Sequence, residues 1–370
     1  MKKLIYQKFL KDVTIFFCLS LLSLGLIMWV IQAVNFLDFV SEDGHGFKVY
    51  FLYTLLTLPK ILGKILPFIF FISLFYSLSN IEENNELLIF WTNGITKKEF
   101  LNTILIYSLL YFFIQLSLNI YITPFSQDKA RSYIRSSNID FFPSLIKEKK
   151  FIDTVENLTI FIESKENNQL FNIFLRDQFN INQSQTIFAK RGLLKSNESK
   201  NYLLLYDGEF INNNNGKINN FSFEKTEFDL SKYGTKTTKQ RKIQETDTFL
   251  LIKCIRYIYD KKIFYDPLLD CLASKKSIIE EIFKRVYLPI YIPLLALIAS
   301  LLIIKSKDSF NYTRYKVGLF IIGTLTIVIS EVSIRYSAKN ELNSLIFLLV
   351  PLALFLFTYL YLINKSKKLI

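Results

Sequence analysis

The side chains that could carry out catalysis are few, and they lack the partners that catalysis needs. His45 is the only histidine, and no serine or cysteine has a histidine to activate it. No glycine-rich loop followed by Lys and Ser or Thr occurs, which argues against ATP hydrolysis by this chain. The neighbouring carboxylates Glu82 and Glu83 point to different faces of a helix, so we interpret them as solvated charges. The sequence predicts no catalytic residue, metal site or cofactor.

Two lysines within an apolar segment are candidates for binding phosphate. Lys60 and Lys64 follow Pro59 and are four residues apart, so both fall on one face of a helix. Ionisable groups inside a bilayer usually face a protein interior or an aqueous cavity. The alternative is that the lysine stems extend toward the membrane interface and bind nothing.

Three arginines are further phosphate candidates. Arg285 and Arg335 each follow a glutamate, Glu281 and Glu331, at the i, i+4 spacing of a local ion pair, which is the default interpretation. The alternative is that they face a substrate cavity, where guanidinium binds phosphate through paired hydrogen bonds. Arg131 follows the third apolar segment and could guide phosphates, but we expect it on a solvated face.

Six apolar segments must position these residues, three on each side of a polar island. The 370-residue chain is 51% hydrophobic with a mean hydropathy of +0.27, which is typical of a polytopic membrane protein with one sizeable soluble domain. No small-residue cleavage pattern follows the first segment, so we expect it to remain as a span. The predicted transmembrane helices cover residues 13–37, 49–78, 100–122, 283–304, 317–336 and 342–363.

Charge predicts the orientation of these helices. Thirteen Lys and Arg residues flank the segment ends on one side, against three in the short loops opposite. Because basic residues concentrate on the cytoplasmic side, both termini are predicted to be cytoplasmic and the polar island exported. The net charge of +13 comes from lysines scattered along the chain, so we do not predict nucleic-acid binding.

The polar island, residues 124–276, has the alternation of an all-β domain. We predict strands at residues 156–164, 171–177, 185–194, 202–211 and 221–230, which favours an antiparallel sandwich or jelly roll. A change of phase in the last of these predicts a break near residues 225–226.

One predicted strand has apolar residues on both faces. Leu158, Ile160 and Ile162 share one face, and Phe161 lies on the other. These four residues are candidates for lining a lipid groove, and the alternative is a strand buried on both sides.

An amphipathic helix is predicted at about residues 246–261. Its apolar stripe could lie on the outer membrane surface or cover the β domain. The helix contains Cys254, and a bridge to Cys271 remains open if the island lies outside the cytosol.

A short helix at about residues 82–94 separates the second and third spans. Glu86, Leu87, Phe90 and Trp91 have helical spacing, and Gly94 is placed to end the helix as a C-cap. A helix that merely lies at the membrane interface is the alternative.

This segment resembles the coupling segment of the LptF/LptG lipopolysaccharide export permeases, in which an acidic residue and an apolar pair precede a glycine. Glu86, Leu87, Leu88 and Gly94 match that pattern. The family's arrangement of three spans, a periplasmic β-jellyroll and three spans covers nearly the whole chain. Residues 32–46 and 161–164 look more like LptF than LptG. In one departure, Trp91 stands where many members have a basic residue.

The resemblance implies a permease subunit of an ABC-type transporter in the bacterial inner membrane. Such a subunit extracts lipopolysaccharide and passes it toward the outer membrane. Implied partners are an LptG-like permease subunit, an LptB-like ATPase dimer that hydrolyses ATP, and LptC-like and LptA-like bridge proteins. The resemblance assigns Glu86 to the ATPase contact, and Lys60 resembles a family position that follows the same proline. A mechanotransmission-type transport subunit, or a membrane scaffold with a periplasmic docking domain, is the alternative.

The predicted architecture is therefore an α-helical membrane protein with six transmembrane helices and an inserted all-β jellyroll domain. Residues 1–123 hold the first three helices, residues 124–276 the exported domain, and residues 277–370 the last three helices.

Overall fold

The computed structural model describes most of the chain. The described residues are 2–37, 46–136, 148–155, 157–166, 169–180, 183–197, 200–214, 217–230, 242–260, 271–337 and 341–367. His45 lies outside these ranges. The chain divides into two compact units. One comprises Met1–Val30, Thr57–Asp128 and Lys242–Ile370, and the second comprises Ile31–Leu56 and Lys129–Arg241.

Six helical segments within the described residues are long and apolar enough to cross a membrane, three before the sheet and three after it. This confirms the predicted arrangement. The helices before the sheet are α1 (Lys2–Asn35), α2 (Phe47–Leu56), α3 (Leu58–Glu83), α4 (Glu86–Thr92), α5 (Lys97–Ser117) and α6 (Thr123–Ser136), with a π-helical turn, Leu118–Ile122, between the last two. Those after it are α7 (Thr248–Asp260), α8 (Lys275–Tyr287), α9 (Tyr291–Ser300), α10 (Tyr312–Ser337) and α11 (Glu341–Lys367).

The helix α9 lies at the centre of the helical core. All of its described side chains except Pro293 are buried, and it contacts α3, α5, α10 and α11. A helix that is apolar all round is expected in such a buried position. The buried hydroxyl of Ser300 donates to the carbonyl of Ala296 at 2.7 Å, so that side chain has a partner within the helix.

The polar island contains one six-stranded antiparallel sheet whose strand order follows the chain. The strands are β1 (Phe151–Val155), β2 (Leu158–Glu166), β3 (Gln169–Asn180), β4 (Gln183–Asn197), β5 (Lys200–Asn214) and β6 (Lys217–Asp229). The inserted antiparallel β domain is thereby confirmed. The described strands pair only with sequence neighbours in a single sheet, so the finer prediction of a jelly roll stays a prediction.

The predicted break near residues 225–226 is wrong. β6 keeps one register with β5 from Tyr202↔Asp229 to Asn214↔Lys217, with no shift between them. The physical reason is that β6 is an edge strand whose side chains are mostly exposed or half-buried. Its apolar residues can therefore occur on either face without requiring a bulge.

The predicted amphipathic helix is α7, and it packs against α8. Leu251 and Cys254 of α7 are fully buried in a cluster with Ile278 of α8 and with Cys271. Cys254 and Cys271 form a disulfide. The buried part of the stripe thus covers a neighbouring helix in the same unit, while Phe249 and Ile252 remain exposed.

Candidate functional site

The helix α4 is anchored to the helical core by two of its apolar residues. Leu87 and Phe90 are 4% and 3% exposed and belong to the main core cluster. The ring of Phe90 packs edge-on against Phe100 of α5, with the centroids 5.1 Å apart. This helix is therefore part of the packed helical body and cannot be treated as a loop.

Backbone geometry at Gly94 ends α4. Gly94 has a φ of +72°, which is accessible to glycine at little cost. Its N–H donates to the Trp91 carbonyl at 3.0 Å, and the N–H of Ile95 donates to the Phe90 carbonyl at 3.1 Å. This pair of bonds is a Schellman motif. The end of α4 predicted at Gly94 is therefore confirmed. Thr96 then caps the start of α5.

The opposite side of α4 is exposed. Leu88 and Ile89 are 64% and 52% exposed. Glu86 forms an ion pair with Lys8 of α1, with 3.2 Å between Nζ and Oε2. A groove runs between the two helices. Its lining residues are Leu4, Ile5, Lys8, Phe9, Asp12, Ile81, Glu86, Ile89 and Phe90. The surface combines two carboxylates and one lysine with apolar side chains, which suits a protein partner.

A second site is a cleft at the start of α3. It is lined by Lys60, Gly63, Lys64, Asn119, Thr123, Gln127, Gln244, Glu281, Lys284, Arg285, Leu288 and Glu331. Lys60 is half-buried, and its Nζ donates to Oε1 of Gln244 at 2.8 Å. Lys64 is exposed. The structure therefore places both predicted lysines in one cleft and adds Lys284.

Arg285 lies in the wall of this cleft, and its contacts are internal. Its side chain is 3% exposed, and Nε pairs with Glu281 at 3.0 Å, which confirms the predicted local pair. The two Nη atoms donate to three backbone carbonyls and one hydroxyl. These acceptors belong to Ile243, Gln244, Thr246 and Thr248. A guanidinium has five N–H donors, and Arg285 makes five hydrogen bonds. Each donor therefore has a protein partner.

The other two candidate arginines lie outside the cleft lining. Arg131 is 8% exposed, so the prediction of a solvated face is wrong for this residue. An arginine stem packs well against apolar neighbours, and sequence spacing does not reveal that burial. Arg335 is exposed near the end of α10, and the described contacts include no ion pair between it and Glu331.

The lipid-groove candidates occupy both faces of β2. Leu158, Ile160 and Ile162 are at most 2% exposed and form part of the sheet's own core. Phe161 is half-buried in a row of cross-strand neighbours on the other face. The row consists of Phe151, Phe161, Phe174 and Phe188. Its ends, Phe151 and Phe188, are 66% and 45% exposed.

The interpretation of Glu82 and Glu83 as merely solvated charges is wrong. Glu82 accepts a hydrogen bond from the backbone N–H of Lys307 at 2.8 Å, and Glu83 forms an ion pair with Lys316. The partners are more than 200 residues away along the chain. No local spacing in the sequence could have indicated them.

Comparison with known proteins identifies the family. The family model described as lipopolysaccharide export system permease LptF/LptG matches residues 8–365. The chain belongs to this family. A Rickettsia prowazekii (strain Madrid E) protein, Uncharacterized protein RP871, is 24% identical over 304 residues, which cover 80% of this chain and 81% of that protein. The six spans and inserted sheet are those of a multi-pass permease of the lipopolysaccharide export family.

At position 91, this LptF/LptG member has a tryptophan where the resemblance to the family predicts a basic residue. Trp91 is half-buried and packs edge-on against Phe100, with the centroids 6.0 Å apart. Nζ of Lys97 lies 5.9 Å from the centre of the Trp91 ring. A positive charge is therefore present at this end of α4, although it comes from a different residue.

Proposed function

We propose that this chain is the LptF-like permease subunit of an ABC-type lipopolysaccharide exporter in the bacterial inner membrane. It draws the lipid from the outer leaflet and passes it to the exported domain, residues 124–276, and on to a periplasmic bridge. Residues 1–123 and 277–370 form its half of the membrane pathway. The expected partners are an LptG-like subunit, an LptB-like ATPase dimer, and LptC-like and LptA-like proteins.

The observation that carries the proposal is the two-sided construction of α4. Leu87 and Phe90 fix the helix in the core, whereas Leu88 and Ile89 are exposed and Glu86 lies beside them, half-buried and paired with Lys8. A rigid helix with a carboxylate beside apolar side chains suits docking into a groove of a separate subunit. Since this sequence has no phosphate-binding loop, ATP hydrolysis is assigned to that subunit.

Two features support the proposed orientation. Basic residues concentrate at the ends of the spans that we place in the cytoplasm. The disulfide between Cys254 and Cys271 lies in the part that we place in the periplasm, where disulfides persist. Both termini and α4 are therefore proposed to be cytoplasmic.

The cleft at the start of α3 is the proposed site for lipid phosphate. Lys60, Lys64 and Lys284 bring three ammonium groups to it. Gln127 Nε2 and Thr123 Oγ1 are buried without a hydrogen-bond partner among the described residues, and both can donate to phosphate or sugar oxygens.

The three arginine candidates receive different roles in this proposal. Arg285 shapes the cleft wall, because its donors are occupied by protein acceptors. Arg335 is exposed near the end of α10 and is proposed to attract phosphate from solvent. Arg131 is buried, and we propose a structural role for it within α6.

The sheet is the proposed receiver of acyl chains. An apolar surface suits them, because keeping a methylene group out of water avoids a cost of about 0.8 kcal/mol. Phe161 and its row offer such a surface directly, whereas Leu158, Ile160 and Ile162 become accessible only if the sheet's core opens. Photocrosslinkers placed at Phe161 and at Ile160 in separate variants would show which face lipid contacts.

Copurification tests the ATPase contact. We expect an ATPase subunit to copurify with the full chain and to be lost on Glu86→Ala, because α4 loses its carboxylate. The matched control is Asp308→Ala, which removes an exposed acidic side chain elsewhere. Intrinsic ATP turnover by the isolated chain, or equal recovery of the ATPase with both variants, would reject the proposal.

A charge reversal tests the cleft. Lys60→Glu places a carboxylate against the proposed phosphate, so lipid-stimulated ATPase activity of the complex should fall while basal activity remains. Lys365→Glu is the control, because Lys365 lies near the end of α11 and outside the cleft. Unchanged stimulation by lipopolysaccharide in Lys60→Glu would remove this lysine from the site.

A further inference from the structure

The end of α3 is bonded to the segment that leads into α10 by two acidic and two basic residues. These residues, which we call the ionic clamp, are Glu82, Glu83, Lys307 and Lys316. We propose that the ionic clamp transmits movements of α4 to α10. This inference rests on the proposed function in one respect, namely that α4 is the element that the ATPase moves.

The clamp has backbone and side-chain components. Lys307 donates its backbone N–H to Glu82 Oε1 at 2.8 Å and its Nζ to the carbonyl of Glu83 at 3.1 Å. The Glu83 carboxylate pairs with Lys316 and also accepts from Ser79 Oγ at 3.1 Å. Each of these bonds has at least one ionised partner and is therefore stronger than a neutral bond, so the last turn of α3 is tied to both the connecting segment and α10.

The link between the clamp and α4 is short. Only Asn84 and Asn85 separate α3 from α4. The N–H groups of these two residues donate to the carbonyls of Asn80 and Glu82, at 3.0 and 3.1 Å, and the N–H of Leu88 donates to the Asn85 carbonyl at 3.2 Å. A displacement of α4 therefore acts directly on the turn that carries the two glutamates.

The helix α10 also contacts α3 further along its length, at Gly323. A Cβ at that position would clash with the buried Phe71 ring, so a larger residue would force that ring to move. Phe320 stacks with Phe71 at 5.9 Å. Lys316 is two helical turns before Gly323, or about 10 Å along the axis. The clamp thus acts at one end of α10, with the glycine contact as the pivot.

The exposure of the clamp suits a contact that breaks and reforms. The side chains of Lys316 and Glu83 are 31% and 53% exposed, and such ion pairs hold two elements only weakly. Loss of one pair is expected to raise the population of an alternative arrangement about two- to fivefold, which a partner's binding energy can readily exceed.

Spin-label distances in the full chain test the inference. The labels are placed at Leu88→Cys and Ile321→Cys, two exposed positions on α4 and α10. The background carries Cys18→Ser and keeps the native disulfide, so only the two labels react. The protein is measured in bilayer nanodiscs as wild type, as Glu83→Gln, and as the exchanged pair Glu83→Lys with Lys316→Glu.

Glu83→Gln should shift or broaden the distance distribution, and the exchanged pair should restore it. Asp308→Asn is the matched control, because it removes one negative charge from the same segment and should change nothing. An unchanged distribution in Glu83→Gln, or no recovery in the exchanged pair with a native melting temperature, would overturn the inference.

A second measurement separates the clamp from the proposed function. In the complex with the ATPase, Glu83→Gln should lower the ratio of lipid-stimulated to basal ATP turnover, and the exchanged pair should restore it. A distance change with an unaltered ratio would overturn the transmission role. If no ATPase copurifies with the wild-type chain, the proposed function fails, while the distances still decide whether the clamp positions α10.

Discussion

A single backbone angle at Gly94 decides where the helix α4 ends and how it leads into α5. The φ of +72° lies in the left-handed region, which costs an ordinary residue about 1–2 kcal/mol. A Cβ at Gly94 would meet nothing within 4 Å, so conformation alone, and not packing, restricts the residue here.

Substitution of Gly94 should separate these two effects. Gly94→Ala is expected to lower the free energy of unfolding by about 1–2 kcal/mol, because alanine must adopt the left-handed conformation. Gly94→Asn should cost less, since asparagine tolerates that conformation. Thermal unfolding and ATPase copurification of the two variants would check this. A greater loss for asparagine than for alanine would mean that side-chain volume, not the backbone angle, is the constraint.

Local sequence patterns revealed the residues of α4 and the pairing of Arg285 with Glu281, but not the partner of Glu83 or the more distant acceptors of Arg285. Glu86 and Gly94 belong to one short segment, so their spacing is visible in the sequence. Arg285 donates to acceptors 37 to 42 residues away, and Glu83 pairs with a lysine 233 residues away. Residues so far apart in the sequence are brought into contact only by tertiary packing, and local periodicity does not predict that packing.

At the scale of elements, Arg285 joins α8 to the segment that precedes α7. It is 2% exposed, and breaking a buried pair leaves an uncompensated charge behind. Its neighbour Lys284 is half-buried and lines the same cleft. The two adjacent basic residues thus have separable roles, one in structure and one in the proposed binding of phosphate.

Arg285→Met should lower the free energy of unfolding by about 3–5 kcal/mol, because Glu281 and the acceptors around it lose their partner. The free energy of unfolding of Arg285→Lys should lie between those of wild type and Arg285→Met, since lysine has fewer donors than arginine. Lys284→Met should leave the melting temperature near that of wild type and weaken lipid binding instead. Melting temperatures and lipopolysaccharide binding measured on all three variants would check this. A stable Arg285→Met variant with impaired lipid binding would instead make Arg285 a phosphate ligand.

Helices were predicted better than their ends, and long strands better than short ones. The first span was predicted from residue 13, but α1 begins at Lys2, because hydropathy detects the apolar part of a helix and not its charged first turns. β1 was missed because it has only five residues, too few for a clear alternation. The single-sheet strand order was also not predicted, since alternation does not specify which strands pair.

At the scale of the molecule, α3 connects the proposed phosphate cleft to the ionic clamp. Lys60 lies near its beginning and the ionic clamp at its end, about 35 Å apart along the helix axis. A helix of this length spans the hydrocarbon core of a bilayer. The proposed functions therefore require the two ends of α3 to face different compartments, with α4 in the cytoplasm.

Labelling with a membrane-impermeant maleimide tests that orientation. Single cysteines are introduced in a Cys18→Ser background at Phe310 and Ile218, which are 90% and 69% exposed. In intact cells made permeable only at the outer membrane, Ile218→Cys should react and Phe310→Cys should react only after lysis. The native disulfide should stay unlabelled until reductant is added, because the periplasm keeps it oxidised. Labelling of Phe310→Cys before lysis would invert the topology, and α4 could then not reach a cytoplasmic ATPase.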